Sequence, residues 1–198
     1  MPRLAIGSKR VILAAWMLVL VFTTGPEHVF GNESEGWELL RKGGLVVLIR
    51  HAEAPGSGDP PHFRLDDCAT QRNLSEEGRS QARALGESFH RRKIPIEKIY
   101  SSQWCRCKDT AELAFGGFQE HPALNSFFEQ PELKATQTEA MKALLMQERT
   151  RCGNLVLITH RVNITALTDV DPSQGEMILA VIEDNGRLTV KVRLTAAY

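Results

Sequence analysis

Two short stretches of the chain end apolar runs on charged or titratable side chains. In "GLVVLIRHAEA" (Gly44 to Ala54) the run stops at Arg50 and His51, and in "NLVLITHR" (Asn154 to Arg161) it stops at His160. A third stretch, "YSSQWCRCKDTAELA" (Tyr100 to Ala114), passes through Ser101 and Ser102 and places Arg106 where a helix should begin. Arg50 and Arg106 are permanently charged planar forks whose geometry matches the oxygens of a phosphoryl group. A helix N-terminus adds main-chain donors and the positive end of a dipole, both favourable to an anion. Singly, each residue has an ordinary explanation: a strand-terminal histidine is commonly a hydrogen-bonded structural residue, and a lone arginine on a first helical turn is commonly at the surface. Together they describe an oxyanion site with two imidazoles facing one another across a crevice.

The elements that must hold these residues follow from periodicity. Leu45 to Arg50 is continuously apolar rather than alternating, the mark of a central strand covered on both faces. A short helix around Trp37 to Arg41 leads into it through Gly43 and Gly44. Ala54 to Asn73, rich in Pro, Gly and Asp, is a loop long enough to be functional or mobile. "NLSEEGRSQARALGESFHRRK" reads as a helix with Ser75 as N-cap, Glu76 and Glu77 in its first turn, and Ala82, Leu85 and Phe89 on one face. A turn at Pro95 precedes a strand over Lys98 to Ser101. A helix over Trp104 to Ala114 is broken by "FGGF", His121 to Leu133 is irregular, and Thr136 to Arg149 is helical again. After the strand Leu155 to Thr159, "EMILAVIEDNGRLTVKVRL" reads as a hairpin with a two-residue turn at Asn185-Gly186. Strands separated by helices predict an α/β fold, a three-layer sandwich with a mostly parallel central sheet. Ligands of such sheets bind beyond the carboxyl ends of the strands, where Arg50, His51 and His160 fall.

The chain has 198 residues, 24 basic and 24 acidic side chains and 42% hydrophobic content, which suits one globular domain plus a short extra segment. With zero net charge and no arginine-rich tract, nucleic acid is not an expected partner. The cluster His90-Arg91-Arg92-Lys93 reads as cations at a helix C-terminus. Arg3, Lys9 and Arg10 precede the apolar run Val11 to Phe22, which is shorter than the ~20 residues that cross a bilayer comfortably. Residues 1-31 are therefore expected to be a signal peptide or an uncleaved membrane anchor, with a buried helix as the plainer alternative, and residues 32-198 the domain. That pattern predicts an exported protein, periplasmic or membrane-anchored and facing the envelope. Cys68, Cys105, Cys107 and Cys152 can form disulfides in an oxidising compartment, with three pairings open. The spacing Cys105-x-Cys107 is not that of a structural zinc pair, and no metal is expected.

Four stretches in order resemble the histidine phosphatase superfamily, which includes the cofactor-dependent phosphoglycerate mutases. Arg50-His51-Ala52 is similar to the signature Arg-His-Gly, with alanine for glycine. Ser102, Arg106, Thr110 and Ala111 match the form Ser-x-x-x-Arg-x-x-x-Thr-Ala. Thr159-His160 with Asn163 matches the third signature, and "NLSEEGRSQA" resembles the family's Leu-Thr-x-x-Gly-x-x-Gln-Ala, with Ser75 for threonine. The resemblance implies a phosphoglycerate mutase-like fold, with His51 as the nucleophile that takes the phosphoryl group and Arg50, Arg106 and His160 binding its oxygens. It implies no metal or other cofactor, because two guanidiniums supply the charge that magnesium supplies elsewhere. In the mutase-like branch a downstream glutamate is the general acid; Glu129 in "NSFFEQPEL" is the candidate, with Glu53 and Glu132 as alternatives. Arg161 stands where the acid-phosphatase branch has an aspartate, which argues against that branch, and the interval from His51 to His160 leaves little room for its cap domain.

The expected substrate is a phosphorylated small molecule or envelope glycan outside the cytoplasm. Small members of the family include protein phosphohistidine phosphatases and a membrane-anchored group resembling lipopolysaccharide core heptose phosphatases. A phosphate-binding module without turnover, and a purely structural envelope domain, are readings from other classes.

Overall fold

Strand β1 (Val46–Arg50) shows why a continuous apolar run marks a central strand. Val47 and Ile49 face one apolar layer and Val46 and Leu48 face another, and all four are buried. The fold, known from a computed structural model, is described over residues 32–149 and 152–195. The expected signal peptide or anchor lies outside the described residues. Among the described residues no helix is long and apolar enough to cross a membrane.

The chain continues through α1 (Glu33–Lys42, preceding β1), α2 (Glu76–Arg91), β2 (Ile96–Ser101), α3 (Cys105–Phe115), the short β3 (Gln119–Glu120), α4 (Lys134–Gln147), β4 (Asn154–Thr159), α5 (Arg161–Thr168), β5 (Glu176–Ile182) and β6 (Leu188–Thr195). These strands form one sheet in the order β3-β2-β4-β1-β5-β6. Its core is parallel: β1 and β2 flank β4, and β3 extends β2. Only the C-terminal hairpin runs otherwise, with β5 antiparallel to β1 and to β6. Helices α1, α2 and α3 cover one face through Trp37, Leu40, Leu85, Phe89 and Ala111; α4 and α5 cover the other through Met141, Leu144, Leu145 and Ile164. The fold is the three-layer α/β sandwich expected from the sequence.

Caps set the helix ends. The Ser75 side chain accepts from the Gly78 main chain at 3.0 Å, and acidic residues fill the first turn of α2, as expected. At the other end His90 and Arg91 close the last turn, and the Arg92 guanidinium lies 4.2 Å from the Trp37 ring centroid. Helix α1 starts earlier than expected because Asn32 caps it, accepting from the Glu35 main chain at 2.9 Å.

Two expectations are corrected. The hairpin does not turn in two residues: Glu183 to Arg187 form a wider loop, closed by Glu183 N–H donating to Arg187 O at 2.8 Å, with Gly186 at φ 80° inside it. The region His121 to Leu133 is not wholly irregular, since it holds 3-10 turns at Pro122–Leu124 and Pro131–Leu133. Helix α5 had no separate signal in the sequence.

Candidate active site

The parallel pairing of β1 with β4 sets Arg50 beside Thr159, so the residues that follow, His51 and His160, leave the sheet side by side. Their rings lie 5.6 Å apart, centroid to centroid. Parallel β2 ends at Ser101 next to Ile158, which delivers the turn into α3 and thus Arg106 to the same edge. A cleft of about 340 Å³ opens there, lined by Arg50, His51, Arg106, Glu129 and His160 among others. The structure brings together all five residues named from the sequence as the site. Glu53 and Glu132 do not line it: Glu53 bonds to the Ser75 hydroxyl beside the α2 cap, and Glu132 is exposed in a 3-10 turn.

His51 is buried at the cleft floor. Its Nδ1 lies 2.8 Å from the Ala52 carbonyl oxygen. A carbonyl only accepts, so Nδ1 carries the proton and Nε2 keeps its lone pair. Burial, reinforced by the Arg106 charge, pushes its pKa well below the usual histidine value. His160 is lowered in the same way, by burial first and then by Arg106 and His51. Its Nε2 is 2.8 Å from the Ser102 hydroxyl and 3.5 Å from Cys107 Sγ, which fixes the ring. Both imidazoles are neutral at ordinary pH.

Arg50 donates from Nη1 to Pro172 O at 2.9 Å. Arg106 is buried, with its Nη1 bonded to Asp59. The Nε atoms of Arg50 and Arg106 are both buried without a hydrogen-bond partner in the protein. A buried charged donor left unpaired is costly, so such groups point to a ligand that completes them. Each guanidinium, with its permanent charge, fits a phosphoryl oxygen.

Two residues of the cleft carry no sequence motif. Arg72 adds a third guanidinium; its Nε donates to Gly58 O at 2.7 Å and its Nη1 to Ala54 O. Asp59 places a carboxylate at the cleft wall, buried with Arg106 so that each side chain is only 4% exposed. Both come from the loop 54–73, which is clasped to α3 by a Cys68–Cys105 disulfide. None of the three two-bond pairings is completed: Cys68–Cys105 is the one disulfide among the described residues, while Cys107 is free and buried and Cys152 is free and exposed. The placement of Arg72 just before the Leu74-Ser75 entry to α2 was the one available signal; Asp59 had none.

The motif residues outside the cleft have structural work. The Gln81 carboxamide accepts from Glu53 N at 2.7 Å and donates to Gln174 O at 3.0 Å, linking α2 to the loops beside β1 and β5. Gly78 packs so tightly that a Cβ would lie 2.0 Å from Glu53 O. The Thr110 hydroxyl accepts from Ala52 N at 3.0 Å. Alanine at position 52 is accommodated because its methyl joins Ala54, Leu74 and Ala82 in a small apolar cluster. Asn163 does not line the cleft; it donates to Asn125 O at 2.9 Å and so anchors the segment leading to Glu129. Glu129 itself is exposed at the rim, with Oε1 where a Cβ on Gly58 would come within 2.6 Å of it. Among the described residues no group of three or more His, Cys, Asp or Glu is arranged to hold a metal ion.

Comparison with known proteins agrees with this fold. The model of the histidine phosphatase superfamily, branch 1, matches residues 46–126. No curated protein gives a significant sequence match. Solved structures share the fold at low identity. The protein histidine phosphatase SixA complexed with tungstate is 16% identical with a TM-score of 0.55, over 77% of this chain and 97% of that one. A mycobacterial hydrolase is 17% identical with a TM-score of 0.57, over 78% and 99%. Phosphoserine phosphatase from Entamoeba histolytica, in complex with 3-phosphoglyceric acid, is 15% identical with a TM-score of 0.52, over 75% and 95%. The sheet and its helices share the fold of these structures, and the stretch matched by the family model contains Arg50, His51 and Arg106.

Proposed function

We propose that the chain is a histidine phosphatase, a phosphomonoester hydrolase that carries the phosphoryl group on His51. The observation that carries this reading is the pair of buried, unpartnered guanidinium Nε donors beside an imidazole whose Nδ1 is committed to the Ala52 carbonyl. His51 Nε2 attacks phosphorus as the bond from phosphorus to the leaving oxygen breaks; water then attacks the phosphohistidine, Nε2 leaves, and inorganic phosphate is released. Holding the ring neutral by burial keeps the attacking lone pair free at neutral pH. Arg50, Arg106, Arg72 and His160 bind the phosphoryl oxygens through both steps. A preorganised donor in such a site typically lowers the barrier by about 3 to 4 kcal/mol, so guanidiniums can supply the stabilisation that a metal ion supplies elsewhere. Glu129, at the rim, is the proposed donor of a proton to the leaving oxygen.

The proposed substrate is a phosphorylated small molecule or envelope glycan outside the cytoplasm. Two features support that location: the basic-then-apolar pattern of residues 1–31, and a disulfide, which persists in oxidising compartments. A protein phosphohistidine is the second reading, favoured by the exposed position of Glu129, since an imidazole leaving group depends less on a dedicated acid.

The test is hydrolysis of an aryl phosphate by the full chain with chelator present, against His51→Ala. Turnover that survives chelator and is lost in a folded His51→Ala protein is expected. Turnover that needs an added metal, or that persists in His51→Ala, would overturn the reading.

A further inference from the structure

Asp59 lies in the cleft, yet neither the motifs nor the reaction above uses it. Every acceptor position of its carboxylate is committed. Oδ1 accepts from Arg106 Nη1 at 2.8 Å and from the Arg72 main chain at 3.0 Å; Oδ2 accepts from Trp104 Nε1 at 2.9 Å and from Arg106 Nη1 at 3.2 Å. Arg106 Nη1 also reaches Arg72 O at 3.3 Å. One corner of a planar, buried guanidinium is therefore held from several directions, while its Nε has no partner in the protein. A planar fork fixed at one nitrogen has its remaining donors fixed as well.

We infer that Asp59 is the positioning residue of the site, holding Arg106 by Nη1 so that the Nε side of the fork meets the phosphoryl group. The inference rests on the phosphatase reading. It also accounts for the charge of the cleft floor. Arg50, Arg72 and Arg106 bring three positive charges, and Asp59 compensates that of Arg106, with which it is paired. With both imidazoles neutral, the two charges left over match a phosphomonoester dianion. Arg161, at the mouth, is already paired with Asp171, Nη2 to Oδ2 at 2.7 Å.

The contrary arrangement is a plug, in which substrate displaces Asp59 from Arg106. Trp104 distinguishes the two, because its indole N–H donates to the same carboxylate and the chain has only three tryptophans. The experiment follows the Trp104 indole resonance of the nitrogen-15-labelled full chain as inorganic phosphate is added. The expected result is an indole proton that stays protected from solvent exchange at saturating phosphate. In parallel, calorimetric titration of Asp59→Asn with inorganic phosphate should show affinity lowered about ten- to hundredfold, the loss of one well-directed charge-assisted hydrogen bond. Loss of indole protection on saturation, or an Asp59→Asn protein that binds phosphate as tightly as the parent or more so, would overturn the inference and leave the phosphatase reading standing. A parent protein that neither binds phosphate nor hydrolyses phosphomonoesters would overturn both. If Asp59→Asn does not fold, the tryptophan measurement on the parent decides alone.

Discussion

Removing the Cys68–Cys105 disulfide should cost stability and phosphate binding together, because the bond ties the loop carrying Asp59 and Arg72 to the first residue of α3. The two cysteines are 37 positions apart. For a loop of that length the chain-entropy model gives about 4 kcal/mol at 25 °C. The loop keeps other ties, among them Arg72 to Gly58 O and Ala54 O, Cys105 N to the Gln71 carboxamide at 2.9 Å, and the Phe63 ring 5.6 Å from Trp104. The domain should therefore fold without the bond, with the cleft loosened. Cys107 should stay unreactive in the variant at neutral pH, since burial pushes its thiol up to about 12. The assay is urea unfolding of the oxidised parent against Cys68→Ser/Cys105→Ser. With a slope of about 2 kcal/mol per molar urea, the midpoint should fall by about 2 M. Inorganic phosphate should also bind more weakly to the double variant. An unchanged midpoint together with unchanged phosphate affinity would refute the idea that the bond holds half of the site in place.

Other consequences follow from single contacts. Gly86→Ala should destabilise the fold by about 1 to 3 kcal/mol or more, because a Cβ would lie 2.0 Å from Ala114 O, between the backbones of α2 and α3; thermal unfolding measures it, and an unshifted midpoint contradicts the packing described. Glu129→Gln should slow hydrolysis of alkyl phosphates about 100-fold or more while leaving aryl phosphates with acidic leaving groups much less affected; equal losses on both would remove Glu129 as the acid. His51 and His160 have folded pKa values held well below the unfolded value of about 6.5. The unfolded chain thus takes up protons that the folded chain refuses, so stability falls as pH drops below about 6.5, by up to about 1.4 kcal/mol per pH unit for each histidine. Urea unfolding between about pH 5 and pH 8 should show that slope, and His51→Gln should lose one proton's share of it.

The convergence of the site was legible because it depends on features that leave strong marks in sequence. Val46 to Ile49 and Leu155 to Ile158 are apolar without interruption, and parallel neighbours must end at the same edge, so Arg50, His51 and His160 had to meet. Ser75, Glu76 and Glu77 fixed the start of α2 through capping, a local interaction. Asp59 and Arg72 were illegible because they reach the cleft by loop geometry, with no periodicity, and are held there by contacts to Trp104 and Arg106 about 30 to 50 positions away. The disulfide partner of Cys68 depended on where the same loop docks. Helix α5 is short and lacks a side-chain cap at His160, and Asn185-Gly186 proved compatible with a wider loop than the tight turn it favours.

The central claim is that the phosphoryl group passes through His51, and trapping that intermediate tests it most directly. The full chain, mixed with an aryl phosphate and quenched in alkali during turnover, should yield a phosphorylated peptide containing His51. The adduct should survive alkali, disappear in acid, and be absent from His51→Ala. Turnover with no adduct, or an adduct mapped to another residue, would contradict the account.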